Sequence, residues 1–177
     1  MQHHPRRGFF LHLPALLLLA GLVVLTAGCG FHLRGSAALP ESMAVTFIKS
    51  DQPYSSLVDD FSAALKIRDV RVTEERGEAT AVLNILENNV DIGVLSVNTS
   101  GKVLEYEIIQ TIRFSVATAG NEPLVPEQTI RLNRDYVFSS TDVLGSQREN
   151  AVVRANLQTN IVNLAMLRIA AAARQGN

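Results

Sequence analysis

The sequence predicts an α+β domain in which two helices pack on one face of a mostly antiparallel four-stranded sheet, a two-layer sandwich. Long segments in which apolar and polar residues alternate occupy the middle of the chain, between residues 79 and 138. One segment with apolar residues at helical spacing precedes them, and a second closes the chain. Because helices in α+β domains collect on one side of an antiparallel sheet, we expect both helices on the same face.

The first 28 residues have the features of a secretory signal peptide. Arg6 and Arg7 form a positively charged start, and residues 15–25 form an eleven-residue apolar core. This core is shorter than the roughly 20 residues that a membrane-spanning helix needs. Residues 25–29 (LTAGC) end it at the only cysteine of the chain, and they resemble a bacterial lipobox, whose cysteine receives a diacylglyceryl group. We therefore expect cleavage before Cys29 and lipidation of its thiol; the alternatives are a retained membrane anchor, a lone buried thiol and a cleavable signal with an incidental cysteine.

The remaining composition favours one non-enzymatic domain. Removal of residues 1–28 leaves 149 of the 177 residues, and we expect residues 29–42 to form a lipidated tether and residues 43–177 a single domain. This mature part has 14 basic and 17 acidic residues, a net charge of −3, which argues against a nucleic-acid-binding protein. Its single histidine and single cysteine, His32 and Cys29, do not provide a catalytic triad or a histidine-rich metal site in the domain. The sequence therefore predicts a binding or structural protein that needs no cofactor.

The domain is predicted to open with a strand, a helix and a further short strand. Residues 43–48 form an apolar, β-branched run that is typical of a strand. Apolar residues between Tyr54 and Leu65 recur at helical spacing and predict an amphipathic helix. Residues 70–74 alternate and indicate a short strand.

Residues 79–98 predict a long strand that contains an irregularity. Its apolar residues fall on odd positions up to Ile85 and on even positions from Val90 onward. Because side chains alternate between the two faces of a strand, both sets share a face only if an extra residue lies between them. Asn88 and Asn89 lie at the change, and asparagine tolerates positive φ, so we expect a β-bulge or a break there. The alternative is a strand that is buried on both faces.

Two further strands follow a predicted hairpin tip at residues 97–102, where Gly101 can adopt positive φ. Residues 104–116 show the most regular alternation in the chain, as in a half-exposed antiparallel strand. Residues 130–138 form the next strand, and Arg134 interrupts its apolar face.

The closing helix is predicted to begin at a capping box, which Ser146 and Glu149 form. Two neighbouring apolar stripes run from there as far as Ala173. Their combined width suits a helix that lies across a sheet and contacts a second helix.

The segment after the predicted cleavage site, residues 29–35 (CGFHLRG), resembles the opening of the LPS-assembly lipoprotein family LptE, also called RlpB. Weaker matches follow in the same order at residues 39–40, at Gly101, at residues 105–106 and in the closing helix. The resemblance implies an outer-membrane lipoprotein that forms a one-to-one plug inside the LptD β-barrel and assists the passage of lipopolysaccharide to the outer leaflet. It also implies that the body faces the periplasm or lies inside the barrel. The alternative is a stand-alone, periplasm-facing lipoprotein that binds a lipid or another ligand.

Lipopolysaccharide carries phosphates, so basic side chains near loop ends are the candidate contacts. These are Lys102 at the predicted hairpin tip, Arg131 and Arg134 on the last strand, and Arg148 at the start of the last helix. Free backbone amides at that helix start would add affinity for anions. For each residue singly, a role in surface solubility is the alternative.

Overall fold

The structure, a computed structural model, describes residues 39–139 and 143–175. The predicted signal peptide, the predicted lipidation site at Cys29 and most of the predicted tether lie outside these residues. Short 3-10 turns occur at Glu41–Met43 and Arg76–Glu78. The other elements, in chain order, are β1 (Val45–Ser50), α1 (Ser56–Lys66), β2 (Arg71–Thr73), β3 (Ala81–Val97), β4 (Val103–Thr118), β5 (Pro123–Val137) and α2 (Val143–Gln175).

The described strands form one mixed five-stranded sheet in the order β2-β1-β3-β4-β5. β1 is parallel to both β2 and β3, whereas β3, β4 and β5 are antiparallel to their neighbours. The prediction of four mostly antiparallel strands is therefore wrong in strand number, and it missed the parallel part of the sheet. The cause is α1, because a helical crossover returns the chain in its original direction and β2 then pairs in parallel at the sheet edge.

Both helices pack on the same face of the sheet, as predicted. α1 contacts β1 and β2, α2 lies along β5 and β4, and the two helices contact each other. Gln158 of α2 donates a hydrogen bond to the Asp60 carboxylate of α1 at 2.8 Å. The largest fully buried side chains of the core are Met43, Leu57, Phe61, Leu65, Leu83, Ile112, Phe114, Ile130, Ile161 and Met166. Tyr54, predicted to lie on the apolar stripe of α1, precedes the helix and is almost fully exposed.

The two sides of the sheet differ in what covers them. The side on which Ile112 and Phe114 of β4 contact the helices is called the helix face. The opposite side, which carries Thr111, Arg113 and Ser115 of the same strand, is called the open face. The strict alternation of buried and half-buried residues along β4 confirms the predicted half-exposed antiparallel strand.

The irregularity predicted in β3 is present, but it lies at Leu86 and not at Asn88 and Asn89. The pairing of β3 with β4 shifts register between Ile85 and Glu87. β1 pairs with β3 only as far as Ile85, so the bulge occurs where β3 loses its second neighbour. The extra residue keeps the odd and the even apolar sets on the helix face, as the alternation required.

Two predicted element starts are also wrong. α2 begins at Val143, three residues before Ser146, so the predicted capping box is not the helix start. The Ser146 hydroxyl instead accepts a hydrogen bond from the backbone N–H of Ser139 at 3.0 Å, which ties α2 to the end of β5. β5 begins at Pro123 and not near residue 130, because proline is tolerated as the first residue of an edge strand.

Candidate functional site

The bulge at Leu86 divides the three long strands into two halves. The proximal half consists of residues 81–85, 112–118 and 123–130, and the distal half of residues 87–97, 103–111 and 131–137 with the hairpin tip at 98–102. The main core lies over the proximal half. A smaller cluster, formed by Ile108, Tyr136 and Leu157, lies over the distal half between α2 and the strands β4 and β5.

The helix face of distal β3 is apolar but exposed. Its even-numbered side chains Val90, Ile92 and Val94 are 36%, 46% and 56% exposed, whereas Leu83 in the proximal half is fully buried. The exposure follows from the helix positions, because α1 contacts β1 and β2 while α2 lies along β5 and β4. Further exposed apolar side chains at the distal end are Leu95, Val97, Leu104 and Val137. Contiguous exposed apolar side chains of this kind are typical of interaction surfaces.

A polar pair marks the boundary between the two halves on the helix face. Gln110 of β4 is buried, and its amide donates a hydrogen bond to Asn88 of β3 at 3.1 Å. Buried amides need such partners, because an unpaired polar group loses its hydration without compensation. The apolar core therefore stops at this pair.

The open face carries polar and charged side chains on all three long strands. Arg113 of β4 donates to Glu127 of β5 at 2.9 Å, and its Nε lies 3.3 Å from the Glu87 carboxylate of β3. The hydrogen bond to Glu127, together with the charges of both carboxylates, raises the pKa of Arg113, so its guanidinium stays charged at any physiological pH. These three side chains link β3, β4 and β5 across the sheet.

Hydrogen bonds between neutral and acidic side chains continue this polar surface. Asn133 of β5 donates to Glu107 of β4 at 2.6 Å. Further hydrogen-bonded pairs on this side are Asn84 with Ser115, Asn89 with Asp91 and Ser96 with Glu105. Among the described residues of this face, no nucleophilic side chain is paired with a histidine as general base, and the side-chain contacts are hydrogen bonds and ion pairs.

An aromatic cluster lies at the distal end of the helix face. The rings of Tyr106 and Tyr136 stack with their centroids 5.6 Å apart, and Phe138 meets Tyr106 edge to face at 5.5 Å. Beside them is an open recess of about 210 Å³ that also contacts Gln147 and Asn150 of α2. The recess combines aromatic rings with amide groups, but it is shallow.

Lys102 lies at the hairpin tip, as predicted. The tip is held by Asn98, whose side-chain oxygen accepts hydrogen bonds from the backbone N–H groups of Ser100 and Lys102 at 3.0 and 2.9 Å. Gly101 adopts a φ of 77°, a conformation that favours glycine. The Lys102 side chain is exposed at the extreme distal end of the sheet.

The other three basic candidates lie in different surroundings. Arg131 and Arg134 pair with Thr111 and Ile108 in uninterrupted register, so they point to opposite faces of β5. Arg148 is exposed in the first turns of α2, at the same end of the molecule as the hairpin tip. The fold therefore brings Lys102 and Arg148 to one end, places Arg134 on the helix face of the adjoining strand, and separates Arg131 from them.

The described residues contain no cluster of three or more histidine, cysteine, aspartate or glutamate side chains that could hold a metal ion. Within the same residues, no helix is long and apolar enough to cross a membrane. The exposed apolar row of distal β3 is the feature that reasoning from sequence missed. Its alternation indicates which face the side chains share, and only the length of β3 relative to the helices could have suggested that this part of the face is uncovered.

Residues 42–169 match the family model described as LptE, lipopolysaccharide-assembly. An LPS-assembly lipoprotein LptE from Photorhabdus laumondii is 27% identical over 149 residues, which cover 81% of this chain and 78% of that relative. An LPS-assembly lipoprotein LptE from Pectobacterium atrosepticum is 27% identical over 143 residues, 80% of this chain and 77% of that relative.

Solved structures show the same fold. Uncharacterized lipoprotein B from Nitrosomonas europaea superposes with a TM-score of 0.71 at 23% identity, over 83% of this chain and 94% of that one. The rare lipoprotein B from Shewanella oneidensis superposes with a TM-score of 0.62 at 22% identity, over 75% of this chain and 97% of that one.

Proposed function

The chain belongs to the LptE family of lipopolysaccharide-assembly lipoproteins, which are not enzymes, and we propose from this premise that it works as a plug in a one-to-one complex with the LptD β-barrel. In this proposal the protein is held at the outer membrane by acyl chains on Cys29. It assists assembly of the barrel and the transfer of lipopolysaccharide to the outer leaflet.

The polar open face is the observation that supports the plug most directly. Its charged and amide side chains are already bonded to one another across three strands, for example Arg113 with Glu127 and Asn133 with Glu107. The interior of a large transmembrane barrel is polar and hydrated. A surface on which Arg113, Glu87 and Glu127 balance one another's charges therefore fits a polar barrel lumen.

The basic residues at the distal end support a contact with lipopolysaccharide. Lys102 at the hairpin tip and Arg148 in the first turns of α2 lie at one end, with Arg134 on the helix face nearby in the fold. Phosphate groups bind best where several cations converge. We assign Lys102 and Arg148 the main contact, Arg134 a supporting one, and Arg131 on the opposite face of β5 the weakest of the four.

Detergent extraction of the tagged full-length chain from outer membranes tests the complex. We expect LptD to co-purify near one-to-one, as measured by quantitative mass spectrometry of the purified material. Recovery of the acylated chain alone would contradict the plug and favour the stand-alone lipid- or ligand-binding lipoprotein.

Removal of two basic side chains tests the lipid contact. We expect the double variant Lys102→Ala/Arg148→Ala to bind purified lipopolysaccharide several-fold more weakly, with a shallower dependence on salt, because charge-assisted contacts to phosphate are lost. The matched control is Lys66→Ala/Arg76→Ala, which removes the same charge from exposed positions at the proximal end. Equal binding by the two double variants would contradict the assignment.

The anchor is tested by Cys29→Ala. Two or more acyl chains hold a protein on a membrane stably, whereas a protein without them depends on its partner. We expect the variant to leave outer-membrane fractions of cells that lack LptD and to stay bound in cells that contain it. Release from both would show that the acyl chains, and not the barrel, provide the main attachment.

A further inference from the structure

We infer that the free edge of distal β3, residues 87–95, accepts an extended segment of another protein as an additional strand of the sheet. The segment would carry apolar side chains toward the helix face and a basic and an aromatic side chain toward the open face. Strand addition at this edge does not require that the partner be a β-barrel.

The edge is open because the parallel neighbour of β3 is short. β1 pairs with β3 only between Ala81 and Ile85. From Glu87 to Val97, β3 pairs with β4 alone among the described residues. The backbone groups on its other side therefore have no ladder partner within that part of the chain, and such a row is a template for a further strand.

The apolar side of this edge is suited to strand addition. Val90, Ile92 and Val94 point to the helix face and are about half exposed. An added strand would place its own side chains beside them and remove them from water, since neighbouring strands lie about 4.8 Å apart. An incoming segment is therefore expected to carry apolar residues at alternate positions.

The charges on the open side select the partner. Asp91 accepts a hydrogen bond from Asn89 at 2.8 Å and forms no ion pair among the described residues. Glu87, four residues earlier on the same face, has Arg113 as its one ion-pair partner among the described residues. A second copy of this edge would bring the same carboxylates together, and like charges across a strand pair are destabilising. The complementary segment is thus one from a different chain with a basic residue opposite Asp91.

Gly93 provides a further indication. A Cβ at this position would meet no atom within 4 Å, and the residue does not have positive φ. Neither the packing nor the backbone of this chain therefore requires glycine at this position. A glycine inside a strand also weakens the strand, so its presence here needs another explanation. A glycine in an edge strand leaves room for a large aromatic side chain on the neighbouring strand, an arrangement that stabilises such pairs. We place an aromatic residue of the partner there.

Site-specific photo-crosslinking in native outer membranes tests the inference. A photoreactive amino acid replaces the exposed Asn89 of the full-length lipoprotein, and the crosslinked peptide is sequenced by mass spectrometry. The expected product is a segment of another protein in which apolar residues alternate with a basic and an aromatic residue. A parallel probe at Ile67, which is exposed at the end of α1, should not yield this segment.

The variant Ile92→Lys then separates strand addition from mere proximity. A lysine on an edge strand opposes pairing, so the crosslink from position 89 should fall about tenfold or more. Ile67→Lys makes the same exchange at an exposed position away from the edge and should leave the crosslink unchanged. Both variants are first checked for an unaltered urea midpoint, which their exposure predicts.

Several results would overturn the inference. These are a crosslink to a second copy, to residues 29–38 of the same chain, or to lipid alone, and an Ile92→Lys crosslink as strong as that of the parent. If LptD still co-purifies in those cases, the plug proposal stands and only the edge is wrong. If the expected segment crosslinks while LptD does not co-purify, the edge inference stands without the plug.

Discussion

The two halves of β3 follow the same alternation and end in opposite environments. Leu83 and Ile85 in the proximal half are 0% and 7% exposed, whereas Ile92 and Val94 on the same face of the distal half are about half exposed. The bulge at Leu86 keeps these side chains on one face, so the difference comes from the helices and not from the strand. Alternation in a sequence thus tells which way a side chain points, and it does not tell whether anything in the same chain covers it.

This difference divides stability from interaction. The proximal half holds the main core and should supply most of the free energy of folding, since apolar area removed from water is its main source. The distal half leaves apolar, polar and basic surfaces exposed at one end. We therefore assign folding mainly to the proximal half, and contacts with other molecules through apolar and basic side chains mainly to the distal half.

The largest expected effect is in the proximal core. Phe114→Ala removes a fully buried ring of β4 and should lower the free energy of unfolding by about 3–5 kcal/mol, because it loses both burial and packing. Equilibrium urea unfolding of the mature chain measures this change.

The control for that variant is Ile92→Ala in the distal half. Because Ile92 is half exposed in the free protein, its truncation should cost less than about 1 kcal/mol. Similar losses for the two variants would contradict the division of the sheet.

An intermediate effect is expected at the boundary pair. Asn88→Ala leaves the buried Gln110 amide without its acceptor and should cost about 1–3 kcal/mol. Gln110→Leu removes the buried polar group itself and should cost less, because it leaves only the more accessible Asn88 unpaired. We therefore expect a lower urea midpoint for Asn88→Ala than for Gln110→Leu. The opposite order would show that this pair does not end the apolar core.

The smallest effect is expected on the open face. Arg113→Met breaks contacts with Glu87 and Glu127, but all three side chains are substantially exposed, and exposed ion pairs contribute little to stability. The thermal midpoint of the free chain should stay within error of the parent at high salt. Co-purification of LptD should nevertheless fall, because the variant leaves unbalanced carboxylates on the proposed plug surface. An unaltered LptD ratio would remove the open face from the proposed interface.

Much of the fold followed from the residues. The two helices on one face, the hairpin tip at Gly101 and the alternation of β4 were predicted correctly, because each depends on local periodicity or turn chemistry. The parallel pairing of β2 was missed, since a three-residue strand carries too little pattern to show its neighbours. The bulge lies at Leu86 and not at the asparagines, because it occurs where β1 stops pairing with β3. That pairing is a tertiary contact, which the local sequence of β3 does not reveal.

The candidate site was less predictable from sequence. The hairpin position of Lys102 followed from local signals, and so did the position of Arg148 near the start of α2. That Arg131 and Arg134 lie on opposite faces follows from the register of β5 with β4, which the sequence alone does not show. The start of α2 at Val143 was also not predictable, because Ser146 resembles a helix cap but bonds to Ser139 instead. The exposed row of distal β3 depends on where α2 lies, which no local pattern encodes.

Amide hydrogen exchange tests this division most directly. The two samples are the full-length chain alone in detergent and the same chain in complex with the protein that co-purifies with it. We predict that the amides of residues 87–95 that face away from β4, together with those of the hairpin tip, exchange quickly in the free chain and slow markedly in the complex. Those of Ala81–Ile85 and Ile112–Val116 should be protected in both states. Equal exchange of the distal amides with and without partners, or a change confined to the proximal half, would contradict the assignment of the distal half to interaction.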